Sequence, residues 1–267
     1  MNGVVKRMSG EFKVPFSNFL SYDERLFLKE MRKGLDNQIQ YTRVWLNTDE
    51  GDEILSSEDF YEDFYDSTYY DEMVELMNSN TKNCIQMLDK FYQTGADIAN
   101  GELNLPTKFN KYDKEAFRIL QKYVGDLIYD VNVELANGIK ENLYEASKES
   151  KTKSRIMQGL VLLPFIPLVS NISVDTRCKV ITCTEYGRAV NTGTLQAFAN
   201  AGIRMVEIVT AGDDLVCDDC IFFEENNPYT LEEAANILPV HTNCRCGVNP
   251  LQDSIASDAE PIIIDLT

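Results

Sequence analysis

Histidine is almost absent: the 267 residues include one, His241. A His-Glu-x2-His hydrolase centre, a His-rich nuclease site or a serine triad with spare histidines therefore cannot be assembled from this chain. Basic residues are also scarce, 25 Lys and Arg against 43 Asp and Glu, and the formal charge of -18 opposes general attraction to DNA or RNA. Long hydrophobic runs are missing. The most apolar stretch, Gly159 to Ser170, covers about a dozen residues and carries Pro164 and Pro167, whereas a membrane-crossing helix needs roughly 20. It reads as buried packing or a bent turn, and no membrane partner is expected. The opening MNGVVKRMSGEF lacks the apolar centre of a secretory leader. The seven cysteines are accordingly expected in a reducing compartment, as metal ligands or core thiols rather than disulfides.

What is present divides by composition. Residues 1–20 are mixed and slightly basic, with Lys6, Arg7, Lys13 and Pro15, and read as a flexible arm. Ser21 and Glu24 have the spacing of a capping box ahead of Leu28, Met31, Leu35 and Ile39, which predicts a helix. From Asp49 to Glu75 there are 12 acidic residues and no basic one, interleaved with aromatics. Steps of four place Tyr61, Tyr65 and Tyr69 along one helical surface. They are candidate interface residues for a basic partner, beside the plainer reading of a solvated acidic helix with one packed edge.

A second helical pattern runs from Glu72 to Tyr92, with Cys84 as a core thiol, and Gly95, Gly101 and Pro106 predict a loop. Asp113 then begins the longest helical signal, with Phe117, Leu120, Val124, Leu127, Val131, Leu135, Ile139 and Leu143 as its apolar stripe. Gly125 and Gly138 are the points where it is expected to bend or split. Lys151 to Ser154 predicts a break. A last long helix is expected from Asp175 or Thr176 to Asn200, stopped by Gly202. Cys178 and Cys183, five apart, point in different directions on it, and Glu185 with Arg188 forms an i,i+3 pair near its surface. Arg204 to Val209 alternates like a half-buried strand. The fold class is α+β: a predominantly helical N-terminal region with a long helix, then a small C-terminal module of a helix and a β-hairpin.

That module carries the chemistry. Cys217-Asp218-Asp219-Cys220 brings two sulfurs together as tetrahedral zinc requires, and His241-x2-Cys244-x-Cys246 supplies the second half. If Cys244 to Cys246 is extended, both sulfurs face one way and Arg245 the other. Five candidate ligands thus meet a four-ligand requirement. Cys217, Cys220, His241 and Cys246 form one set, and Cys244 in place of His241 gives an all-cysteine set. A metal-free thiol core and a redox or catalytic cluster are the alternatives. Asp213, Asp214, Asp218, Asp219, Glu224 and Glu225 surround the turn, with only Arg245 opposing them. That charge disfavours a nucleic-acid-binding zinc module and leaves DNA contact to the N-terminal arm.

The order CTEYGRAVNTGTLQAFANAGI, VEIVTAGDDLVCDDC, HTNCRCGVNP resembles the C-terminal domain of the Mu F-like minor head proteins of tailed phages, the phage head morphogenesis family, over about residues 176–250. The matching positions are Thr184 and Glu185, Asp214, Cys217 and Cys220, then His241, Cys244, Arg245 and Cys246. Cys183 stands where the family has arginine, and Thr242 where it has proline. The resemblance implies a non-enzymatic minor structural protein of the virion, at the head interior or portal vertex, present in the host cytoplasm during assembly. Its implied partners are portal, major capsid or scaffold proteins. Residues 21–174 become the portal- or capsid-contacting region, 175–250 the head morphogenesis domain and 251–267 a tail, with no room there for a further toxin or transferase domain.

Overall fold

The computed structural model describes residues 20–105, 109–168, 171–251 and 262–265. The expectations for the arm with Lys6, Arg7, Lys13 and Pro15, for Pro106 and for most of the tail lie outside these residues. Side-chain capping starts most of the long helices. In α1 (Tyr22–Trp45) the Ser21 hydroxyl accepts from the Glu24 N–H at 3.1 Å while the Glu24 carboxylate accepts from the Ser21 N–H at 2.6 Å. Asn110 and Asp113 form the same reciprocal pair at the start of α5 (Lys111–Lys148). Thr48 caps α2 (Asp49–Ser56), Ser67 caps α4 (Thr68–Glu102), and Ser173 caps α7 (Val174–Asn200). Between α5 and α7 lie α6 (Lys153–Leu162) and a 3-10 turn, Leu163–Phe165.

Two hydrophobic cores result, joined by α7. Val174 to Val190 pack with α1, α4 and α5, while Leu195 to Ala199 pack with the C-terminal module. A helix buried nearly all round must neutralise its own polar groups. Here Thr184, Thr192 and Thr194 do so by donating to the carbonyls of Val180, Arg188 and Val190, four residues back. Its crossing with α4 is a backbone approach. A Cβ on Gly95 would lie 1.9 Å from the Val190 carbonyl oxygen, and one on Gly193 would lie 2.0 Å from that of Tyr92. Gly95 and Gly101 both lie within α4 rather than in the expected loop. α5 likewise runs unbroken through Gly125 and Gly138, whose bare faces receive Ile85 and Leu168. A buried amide chain ties the bundle together: Gln38 donates to Asn132 at 2.8 Å, Asn132 to Asn80 at 3.0 Å, and Asn80 to the Glu30 carbonyl at 2.9 Å.

The acidic segment is not one helix. It divides into α2, α3 (Phe60–Tyr65) and the start of α4, because Ser67 turns the chain to cap α4. Tyr69 is fully buried, stacks on Tyr41 and shares a 2.7 Å hydrogen bond with Thr42, which corrects its assignment as an interface residue. Tyr61 and Tyr65 are partly exposed and reach α5, where Tyr61 donates to Glu141 and Lys140 donates to Tyr65. The apolar stretch after Gly159 is only half buried. Leu160, Leu163 and Pro164 are in the core, whereas Leu162 and Phe165 are 58% and 64% exposed. Among the described residues no helix is long and apolar enough to cross a membrane.

The C-terminal module contains β1 (Met205–Val209), α8 (Asp218–Glu225), β2 (Tyr229–Thr230), α9 (Leu231–Ile237) and β3 (Gly247–Pro250). Its sheet has three antiparallel strands rather than a two-stranded hairpin, with β1 in the centre. β1 pairs Val206 with Tyr229 on one side, and Val206 with Pro250 through Val209 with Gly247 on the other. Val206, Ile208 and Val248 are fully buried against α7 and α9.

Candidate metal centre

Cys217 is the N-cap of α8 and Cys220 lies in its first turn, so the Cys-x2-Cys pair is the start of a helix. The backbone N–H of Cys220, turned toward the Cys217 sulfur, pulls that thiol below its ordinary pKa. The second half is a turn, not a strand. The Cys244 N–H donates to the His241 carbonyl at 3.0 Å, Asn243 takes φ +62°, and β3 starts only at Gly247. Cys244 and Cys246 nevertheless both face inward, 3% and 4% exposed, with Cys220 at 3%.

Five ligand atoms converge here as two overlapping triads. Cys217, Cys220 and His241 form the outer one and Cys220, Cys244 and Cys246 the inner one, with the ligand atoms of each triad within 4.8 Å of one another. The cluster is thus geometrically compatible with a metal ion, and Cys220 belongs to both triads. His241 is oriented as a ligand. Its Nδ1 lies 2.7 Å from the Thr242 carbonyl oxygen, which can only accept, so Nδ1 carries the proton. In the neutral ring Nε2 then presents its lone pair 3.2 Å from the Cys220 sulfur. The inner thiols are electrostatically unequal. The Cys246 thiol hydrogen-bonded to it draws Cys244 down to about 5, while burial pushes Cys220 up to about 12. Packing sulfur this closely in a low-dielectric site favours a shared cation or shared protons.

α7 holds the second half in place through residues spaced i, i+3, i+7. Thr184 accepts the Asn243 N–H at 2.9 Å, Gly187 leaves room where a Cβ would lie 3.3 Å from the Cys244 carbonyl oxygen, and Asn191 donates to the Cys246 carbonyl at 2.9 Å. Arg245 points away from the sulfurs and pairs with Asp213 at 2.8 Å, tying the turn to the loop before Cys217. Asp213 is thus a partner of Arg245, and Asp214 beside it is exposed. Glu185 is buried and Arg188 largely so, 2.7 Å apart, with the guanidinium 4.8 Å from the centre of the Tyr123 ring, so the pair expected near the surface is mostly internal. Burial raises the Glu185 carboxyl above the ordinary range despite Arg188.

Asn191 and Gly187 were not singled out from sequence, and Asp213 was named only for its charge near the turn. Their partners lie 32 to 57 residues away, although Thr184-x2-Gly187-x3-Asn191 is a legible helical face. Cys84, Cys178 and Cys183 lie outside the cluster, and burial pushes Cys178 up to about 12 and Cys183 up to about 11. Replacing Thr184 with valine is expected to remove the hydrogen bond to the Asn243 N–H, costing about 0.5–1.5 kcal/mol at this partly exposed site and weakening metal affinity about 10-fold. Competitive chelator titration measures this, and an unchanged affinity would refute the supporting role of Thr184. Comparison with protein-family models, with curated proteins and with solved structures returns no match.

Proposed function

We propose that this chain is a non-enzymatic assembly protein of a tailed-phage head, of the Mu F-like minor head kind, whose C-terminal module is closed by structural zinc. The observation that carries the reading is the convergence of Cys217, Cys220, His241, Cys244 and Cys246 on one site braced by Thr184 and Arg245. These are the positions on which the sequence resemblance rests. Zinc suits sulfur and imidazole donors in tetrahedral array, and bound there it would supply cross-linking between α8 and the His241–Cys246 turn. Four or more protein donors leave no coordination position for a reacting water, which favours a structural site over a hydrolytic one. The helical region, residues 21–174, engages portal, scaffold or capsid protein, in the head interior or at the portal vertex.

Two measurements test this. Native mass spectrometry is expected to find one zinc per chain, removed by a chelator with a fall in the unfolding temperature. A metal-free chain whose unfolding ignores the chelator contradicts the zinc assignment. Co-expressed with the portal, scaffold and capsid proteins of its own phage, the chain is expected to sediment with portal or procapsid. A chain left in the supernatant while procapsids form contradicts the assembly role.

A further inference from the structure

Two surface grooves lie on different sides of α1 and carry opposite charge. The first, of about 670 Å³, follows the outer face of α1 and is lined by Arg25, Lys29, Arg32 and Lys33 over Leu20 and Leu28, with Asp36 at its end. Arg32 fixes its position toward α7 through bonds of 2.6 and 3.1 Å to Asp175. The second, of about 430 Å³, follows the seam of α1 with α4 and is lined by Asp71, Glu72 and Glu75 over Tyr41 and Leu76. Lys33 also pairs with Glu30 at 3.2 Å, so Arg32 and Lys33 are partly answered within the chain, yet four cations on one helix face stand out in a chain of formal charge -18.

We propose that the two grooves are the halves of a head-to-tail contact between copies of this chain. The basic groove of one copy receives the acidic α4 face of the next. The lined stretches match in length, since Arg25 to Lys33 and Asp71 to Ser79 each span eight helical steps, about 12 Å at 1.5 Å per residue, with the carboxylates gathered in the first half, Asp71 to Glu75. Each groove also has an apolar floor, which a packed helix can cover and a phosphate backbone cannot use. Since the two surfaces differ, the contact is heterologous and propagates from copy to copy into a ring or a filament. General repulsion between acidic chains does not forbid it. At physiological salt such repulsion is screened beyond about 8 Å, while ion pairs inside a covered seam are screened less. The inference does not rest on the zinc site or on the phage assignment.

Sedimentation velocity of the full chain is the test. At about 0.15 M salt the mean mass is expected to rise with concentration, and to return to the monomer near 1 M. The paired reversals Lys29→Glu with Lys33→Glu, and Glu72→Lys with Glu75→Lys, each weaken association by about tenfold or more. An equimolar mixture of the two variants regains it, since every seam then joins opposite charges. Circular dichroism checks that both variants keep their helical content, and the regained association in the mixture is a readout that misfolded chains would not give. A monomer at every concentration overturns the proposal, as does association indifferent to the reversals or a mixture that stays monomeric. Duplex DNA bound to a monomer through Lys29 and Lys33 also overturns it.

Discussion

Cys220→Ser is expected to abolish stoichiometric metal binding and lower the unfolding midpoint by about 10 °C. Cys220 is the member common to both triads, so its loss leaves neither complete, whereas Cys217→Ser or Cys244→Ser leaves the other triad intact. The free energy of binding a structural zinc is folding free energy. If about 4 kcal/mol of it is lost at the midpoint, the shift at 2–4 °C per kcal/mol for a chain of this size is about 10 °C. The effect should fall on the core formed by Ile203, Val206, Ile208, Leu231 and Val248, while α1, α4 and α5 keep their own core. Two readouts decide it: metal content by native mass, and whether chelator lowers the midpoint of wild type but not of Cys220→Ser. A serine variant that retains one tightly held metal would remove Cys220 from the ligand set.

Gly95→Ala is expected to destabilise by about 1–2 kcal/mol net, against the sign of its helix propensity. In an open helix interior alanine is better than glycine by about 1 kcal/mol. At position 95 the added carbon would stand 1.9 Å from the Val190 carbonyl oxygen, and that partner is backbone, which cannot rotate aside. α4 and α7 would have to separate along the crossing where Thr194 now donates to the Gly95 carbonyl at 3.1 Å. Overpacking of this kind costs about 1–3 kcal/mol and outweighs the propensity gain. Gly193→Ala should behave alike, with its carbon 2.0 Å from the Tyr92 carbonyl oxygen. Gly101→Ala is the control. Nothing lies within 4 Å of a Cβ there, so it should stabilise by about 0.5–1 kcal/mol. Urea unfolding of the three variants separates these effects, and a Gly95→Ala chain as stable as wild type would show that the crossing has room for a methyl group.

Much of the fold was legible wherever its causes are local. The Ser21 and Glu24 box, the Asn110 and Asp113 start of α5, and the Gly202 stop after α7, at φ +81°, each act within four residues. Where glycine was read as punctuation, the reading failed for a tertiary reason. Gly95, Gly125 and Gly138 make room for Val190, Ile85 and Leu168, partners 30 to 95 positions away along the chain. The tyrosine ladder failed differently. Steps of four presuppose one helix, and the cap at Ser67 cut it between Tyr65 and Tyr69, leaving one ring exposed and the other in the core.

At the cluster, sequence alone named the donor inventory, because Cys-x2-Cys and His-x2-Cys-x-Cys mark the five residues that come together among the described residues, and the chain has one histidine. Sequence also determined that the charge around them is acidic. The tertiary structure decided what spacing cannot encode: that Cys220 is shared, that His241 turns Nε2 inward because Thr242 takes its other proton, and that Arg245 answers Asp213. It also placed Thr184, Gly187 and Asn191 beneath the turn. The physical reason is range. Caps, periodicity and paired ligands act over a few residues, whereas the orientation of a ligand depends on hydrogen bonds from a helix some 55 residues earlier, whose position is set by packing of the whole chain.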